Sequence, residues 1–290
     1  TGVITPTEKI NDIGVYKKAH EPACWIWNSY GMSHGWLNVT EAITHSCNYF
    51  FYEVGYRATI DNIAKYAKYY GLGEKTNVEL PMEEKGIVAT RDKAKERGDE
   101  WQIGETLSAA IGQSYNSYTP IQMAKYISML ANGGEPIDVT IVKSINDVNG
   151  NQVSKEDITK FVNAKLGLTK EKKENLNIKK ENIDAILKGM KGVTSEEGGT
   201  AYSTFANFNI ELGGKTGSAQ TDVQGKINGW FVGFAPYEEP EIAVVVLVEN
   251  AGSGSYTAEV ARDILQEYFG MNMEKVEEDL TAMPSTEIQN

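Results

Sequence analysis

No apolar run in this 290-residue chain is longer than Ile242 to Val248 (IAVVVLV), which is strand length and stops at Glu249. A membrane-crossing helix needs about 20 apolar residues, so none is available here. The opening stretch TGVITPTEKI has neither a basic start nor an apolar core, so it does not read as a signal peptide. Positive charge is scarce as well: 28 Lys and Arg stand against 40 Asp and Glu, a net charge of −12. That balance argues against nucleic acid or an anionic membrane as the main partner. Cysteine is limited to Cys24 and Cys47, too few for a disulfide framework. One bridge, two free thiols or two metal ligands all remain open.

Apolar residues make up 41% and charged residues 23%, the composition of a globular chain that can bury a core. Residues 1 to 40 read as irregular, broken by Pro6, Pro22, Gly31 and Gly35. Phe50, Phe51 and Val54 fit one helical face from Asn48 to Arg57. A second helix follows, with Asp61 as N-cap and Gly71 at its end. Pro120 suits the first turn of another helix, closed by Asn132-Gly133-Gly134. Residues 138 to 153 read as a β-hairpin turning at Asn149-Gly150, and 154 to 180 as a lysine-rich solvated excursion. A helix is expected over 181 to 191. Strands are expected from Phe208 through GGKTGSAQT, in INGWFVGFAP and in EIAVVVLVEN, before a closing helix from Ala258 to Phe269. The last twenty residues read as an acidic flexible tail. The expected architecture is α/β of the α+β kind: an antiparallel sheet flanked by helices, plus a helical lobe.

Two short motifs carry the chemistry. Ser46-Cys47-Asn48 is an S-x-N, and Lys215-Thr216-Gly217 follows Gly213-Gly214. Each has a plain structural reading: a helix-capping turn for the first, a kinked strand for the second. A phosphate loop does not fit, because the G-x-x-x-x-G-K-[ST] spacing is absent. In this order, however, the two resemble the second and third signatures of penicillin-binding proteins and serine β-lactamases. The blocks AAIGQSYNSYTPIQMAKYISMLANGG (109 to 134), EEGGTAY (196 to 202), GGKTGSAQ (213 to 220) and WFVGFAP (230 to 236) are similar to class B penicillin-binding proteins. These are monofunctional peptidoglycan D,D-transpeptidases, and the elongation-type branch fits best. The resemblance runs from about residue 36 to 270.

The resemblance implies an acyl-enzyme mechanism, in which a serine made nucleophilic by a neighbouring base cleaves a D-Ala-D-Ala bond. Ser46 would then lie on the proton path to the leaving amine, and Asn48 would bond the acyl-side amide. Lys215 would supply positive charge beside that path. Thr216 and Ser218 would bind the terminal carboxylate, with the Ser218 N–H as half of an oxyanion hole. Gly217 would let the substrate strand approach the sheet edge. Trp230 is expected below the site or as an ordinary core aromatic.

The family's first signature, S-x-x-K, is missing: no serine here is followed three residues later by lysine. Thr90 to Lys93 and Thr169 to Lys172 have the spacing with threonine, but both lie after S-x-N in charged stretches. The nucleophile and its lysine are expected upstream of Thr1, on a piece of a longer protein. A natural pseudo-enzyme is the competing explanation, and the non-Met start favours a fragment. This chain by itself is expected to be inert to acylation by a β-lactam.

Cysteine and histidine near S-x-N suggest a metal, although their spacing is that of no standard finger. Some elongation-type relatives hold zinc there, and the resemblance points to Asp12, Cys24, His34 and Cys47, with His20 and His45 as alternatives. Four protein ligands would make it a structural ion that steadies the S-x-N loop. A disulfide and free thiols remain the alternatives, and no organic cofactor is expected. Residues 1 to 270 are thus expected to be the C-terminal portion of a transpeptidase domain, with 271 to 290 the tail. It would work at the extracytoplasmic face of the bacterial membrane, anchored by a segment outside this chain. Stem peptides, β-lactams and a glycan polymerase are the expected partners. A β-lactamase of the same fold, and a penicillin sensor or zinc-bearing scaffold, are the rivals.

Overall fold

The computed structural model describes residues 1–167, 176–221 and 223–271. The segment read as irregular contains short elements: β1 (Ile10–Asp12), α1 (Trp25–Tyr30) and β2 (Gly35–Leu37). β1 and β2 pair antiparallel, with Asp12 opposite Gly35. Three-residue strands give no periodicity for sequence reasoning to find. α2 (Val39–Thr44) starts from a capping box, in which the Asn38 side chain accepts the Glu41 N–H and Glu41 accepts the Asn38 N–H. α3 (Asn48–Tyr69) follows after the three residues His45, Ser46 and Cys47. It is interrupted at Thr59 (φ 67°, ψ 156°), so two helices run in series as the pattern predicts. The break falls two residues before Asp61, which is therefore not the cap.

α4 (Arg91–Glu96), α5 (Ile103–Ala110) and α6 (Pro120–Ala131) complete the helical lobe. α6 begins with its proline in the first turn and a Thr119–Gln122 capping box. Gln122 is fully buried, and its Nε2 donates to the carbonyls of Glu74 and Lys85 at 2.6 and 2.7 Å, pinning that loop to the helix. Between α6 and α7 (Lys155–Leu166) the expected hairpin is reduced to one bridge, Asn146 to Gln152, beside an Asp147 side chain that accepts the N–H groups of Asn149 and Asn151. The turn is correct and the strands are absent, because Ile141, Ile145 and Val148 are exposed and have no second layer to pack on. α7 occupies part of the expected excursion and buries Ile158 alone among its described apolar side chains. The tail after Met271 lies outside the described residues.

α8 (Lys180–Ser195), α9 (Tyr202–Phe205), β3 (Gly213–Gln220), β4 (Ile227–Ala235), β5 (Ile242–Val248) and α10 (Ser255–Tyr268) close the chain. The sheet order is β3-β4-β5, all antiparallel. The expected first strand starts later than read: Phe208 to Leu212 is not strand, and β3 begins at Gly213. Central β4 is buried without alternation from Phe231 to Ala235, because α6, α8 and α10 pack on the sheet. Phe231, Phe234, Val193, Leu265, Ile127 and Met129 form the heart of this core.

One helix crossing sets where the S-x-N junction sits. α2 packs directly on α8, and a Cβ added at Gly189 would lie 2.8 Å from the Ile43 Cβ and 2.9 Å from the Thr40 carbonyl. The Thr44 hydroxyl reaches the Gly189 carbonyl at 3.3 Å, and the Thr40 hydroxyl that of Ala185 at 3.0 Å. Gly189→Ala is expected to prise α2 from α8 and destabilise the protein by about 1–3 kcal/mol, the scale of an overpacked core. Chemical denaturation checks this, and an unchanged midpoint would refute it.

Candidate active site and metal centre

Ser46, Cys47 and Asn48 form the junction between α2 and α3. Ser46 takes a left-handed conformation (φ 53°), costly for a residue with a Cβ and typical of functional sites. Cys47 is the N-cap of α3, its sulfur accepting the Phe50 N–H at 3.5 Å. The capping reading was right in kind, but cysteine does the capping rather than serine or asparagine. That leaves the Ser46 hydroxyl free to face the sheet, and the Lys215 Nζ donates to it at 2.8 Å. Lys215 also donates to the Thr216 carbonyl at 2.8 Å. Burial pushes the Lys215 ammonium down to about 8. Asn48 is half-buried at the start of α3.

β3 presents the remaining residues. The Thr216 hydroxyl is 2.7 Å from that of Thr200, and Ser218 Oγ accepts the Gly254 N–H at 3.0 Å. A Cβ at Gly217 would lie 3.3 Å from the Trp230 Cβ. A side chain at Gly217 would therefore crowd the neighbouring strand, where Trp230 stands opposite. Trp230 is half-buried, so it is not a plain core aromatic. Three groups at the site were not picked out from sequence. Thr200 pairs with Thr216, the Gly198 carbonyl accepts from the His45 Nδ1 at 3.1 Å, and the Gln113 Nε2 donates to the Ser218 carbonyl at 3.3 Å. All three lie in the AAIGQS and EEGGTAY blocks, which were the available signal.

Behind the junction, Asp12, Cys24, His34 and Cys47 each offer one donor atom, all within 4.8 Å of one another. The thiols are free and both buried, with sulfurs 3.9 Å apart, so the disulfide alternative is not the state observed. His34 Nδ1 lies 3.6 Å from Cys24 Sγ and 2.8 Å from Asp12 Oδ2, which is 3.4 Å from Cys47 Sγ. A tetrahedral zinc with bonds of about 2.3 Å to sulfur and about 2.0 Å to nitrogen needs sulfurs about 3.8 Å apart and sulfur about 3.5 Å from nitrogen. The donor set therefore fits zinc in type and spacing. Burial would raise the Asp12 carboxyl, but hydrogen bonds from the His34 ring and the Gly14 and His34 N–H groups outweigh it and hold it down at about 2. Burial works against the His34 imidazolium too, and Asp12 and Cys24 override it, raising His34 to about 9. The contact between the two thiols lowers Cys24 and raises Cys47. His34 Nε2 is buried without a partner, so the polar anchors of this residue are Nδ1 and the main-chain N–H, both on Asp12. His45 stacks on His34 at 6.0 Å but stands outside the cluster, and His20 lies against Gly104 instead.

The Lys-Thr-Gly strand and the Ser-x-Asn helix junction thus meet directly, through Lys215 and Ser46. The chain matches the penicillin binding protein transpeptidase domain model over residues 1–266 and belongs to that family. It is 30% identical to the peptidoglycan D,D-transpeptidase MrdA of Haemophilus influenzae, over 95% of this chain and 42% of that protein. It superposes on Pseudomonas aeruginosa PBP2, solved in complex with WCK 5153, with a TM-score of 0.77 at 31% identity, covering 92% of this chain and 57% of that one. A solved peptidoglycan synthase complex that coordinates polymerization and crosslinking matches at 27% identity and a TM-score of 0.72, over 99% of this chain and 44% of that one. The chain spans about two fifths of the length of the MrdA relative.

The lowered Lys215 pKa has a consequence for stability. Its folded value, about 8, lies below the ordinary value of 10.5, so the folded state holds this proton more weakly than the unfolded chain. The group opposes folding below pH 8, and the penalty fades as pH rises from about 8 to about 10.5. Lys215→Met should gain stability relative to wild type at pH 7 and lose that advantage by pH 10.5. Paired urea titrations at the two pH values test this; an advantage that grows with pH would refute it.

Proposed function

We propose that this chain is the greater part of a peptidoglycan D,D-transpeptidase domain, which cross-links stem peptides through a serine acyl-enzyme and is blocked by β-lactams. The observation that carries the reading is the 2.8 Å hydrogen bond from Lys215 to Ser46, joining two motifs 169 residues apart. A half-buried ammonium near pKa 8 exchanges protons readily around neutral pH. Lys215 holds the Ser46 hydroxyl ready to pass a proton to the leaving amine, while its charge steadies the groove. Asn48 bonds the acyl-side amide. Thr216, with Thr200 behind it, and Ser218 bind the substrate carboxylate, and the Ser218 N–H supports the developing oxyanion. Gly217 keeps β3 flush against β4 beneath the incoming peptide. The attacking serine and its lysine belong to a segment outside these 290 residues, which contain no Ser-x-x-Lys.

The longer protein is membrane-anchored and works outside the cytoplasmic membrane beside a glycan polymerase; the match to a synthase complex supports that setting. No described helix is long and apolar enough to cross a membrane. Asp12, Cys24, His34 and Cys47 hold a structural zinc. Bound there, zinc would cross-link β1, the start of α1, β2 and the cap of α3, closed to water and without a chemical role in acyl transfer.

The longer protein should be acylated by a fluorescent penicillin at one serine, and Ser46→Ala should slow turnover of a D-Ala-D-Ala peptide by about a hundredfold or more. The 290-residue chain should stay unlabelled. No labelling of the longer protein, or labelling of this chain at a specific serine, would contradict the reading. Elemental analysis should find about one zinc per chain, and Cys24→Ser should lose it together with several degrees of melting temperature. A zinc-free preparation with both thiols reactive would remove the metal from the account.

A further inference from the structure

From Pro22 to Thr40 the sequence contains no Asp, Glu, Lys or Arg, in a chain whose net charge is −12. That uncharged stretch also carries the densest exposed aromatics among the described residues: Tyr30 is 70% exposed and Trp25 37%, with Trp27 and Trp36 beside them in sequence. Exposed apolar surface of this kind marks a binding site rather than random scatter.

The rings are fixed in place. The Trp25 indole N–H donates to the His45 carbonyl at 3.1 Å, one residue from Ser46. Trp25 meets Tyr30 edge-to-face at 6.5 Å and His34 at 5.9 Å. Trp27 lies flush on Gly14, where an added Cβ would come within 2.1 Å of its ring and where φ is +93°. A row of rings thus leads from exposed Tyr30 through Trp25 to the residue preceding Ser46.

We propose that Trp25 and Tyr30 form a platform for the glycan of the substrate, the N-acetylated amino-sugar polymer that bears the stem peptide. This rests on the transpeptidase reading above. Whatever stem peptide reaches Ser46 is covalently tied to its sugar. Four residues of chain span at most about 15 Å, so the sugar must settle close to the groove. Trp25 stands one hydrogen bond from the groove wall, and Tyr30 one ring contact further out. Aromatic faces carry negative charge density that attracts the polarised C–H groups of a pyranose and the N-acetyl methyl. Asn28, Ser29 and Ser33 supply uncharged polar groups in the same stretch. A lipid surface fits less well, since interfacial Trp and Tyr on anionic leaflets are held with Lys or Arg, and none occurs from Pro22 to Thr40.

The test uses the longer protein and stem-free glycan oligosaccharides of alternating N-acetylglucosamine and N-acetylmuramic acid, followed by tryptophan fluorescence. Saturable binding is expected, weakened about fivefold or more by Tyr30→Ala, the scale of one lost ring contact. Trp25→Ala should do the same; if it fails to fold without its bond to His45, Tyr30→Ala carries the result alone. Acylation by fluorescent penicillin, which has no glycan, should be the same in Tyr30→Ala as in wild type. Failure of wild type to be acylated would overturn the transpeptidase reading itself. Normal acylation with no glycan binding, or with binding that Tyr30→Ala leaves intact, would overturn the platform alone. Binding to phosphatidylglycerol–phosphatidylethanolamine vesicles in its place, or protection of Tyr30 from hydroxyl-radical footprinting without glycan, would also overturn it.

Discussion

The Ser46-to-Asn48 junction depends on one fully buried side chain, Cys47. Its sulfur caps α3, faces Asp12 and Cys24, and sits between the half-buried Ser46 and Asn48. A buried polar cluster of this kind is held by the hydrogen bonds its members make to one another, and Asp12 is the member that makes the most. Asp12 accepts four hydrogen bonds, from the Gly14 and His34 main chain, the His34 ring and the Cys47 thiol. The cluster draws β1, α1, β2 and α3 to one point, and the left-handed Ser46 is the backbone consequence on its solvent side.

The opposite wall is positioned by unrelated means. β3 is held by β4, and β4 by apolar side chains on both faces, so Lys215 emerges from a rigid sheet. The two walls meet through α8. Its glycines let α2 pack at close range, and the turn after it contacts His45 through Gly198 and Thr216 through Thr200. A polar cluster fixes one wall and a hydrophobic core the other, with helix α8 as the gauge between them.

Sequence patterns made the sheet legible, because Ile242 to Val248 and the WFVGFAP stretch are long and apolar enough to leave no rival assignment. The helix opened by Thr119-Pro120 was equally plain from its cap chemistry. The paired motifs and the four clustered donors were identifiable by family resemblance, and spacing alone would not have assembled them: Asp12 and Cys47 are 35 residues apart. What stayed hidden was short or non-local. β1 and β2 have three residues each, and the Thr59 break depends on backbone geometry that threonine does not advertise. The hairpin at 138 to 153 shows the reverse error, where a correct Asn-Gly turn was credited with strands that no core supports.

Among the described residues β3 ends the sheet, and an unpaired edge is an invitation to any extended chain, including another copy of the same protein. Here the outward carbonyls of Thr216 and Ser218 are occupied by the amine of Lys215 and the amide of Gln113. Both caps are side chains on rotatable stems, so the edge is closed to idle strand pairing without being blocked by backbone. Protection of the edge from another copy and admission of an extended peptide, usually opposing demands on such a strand, would on the proposed reading fall to the same two residues.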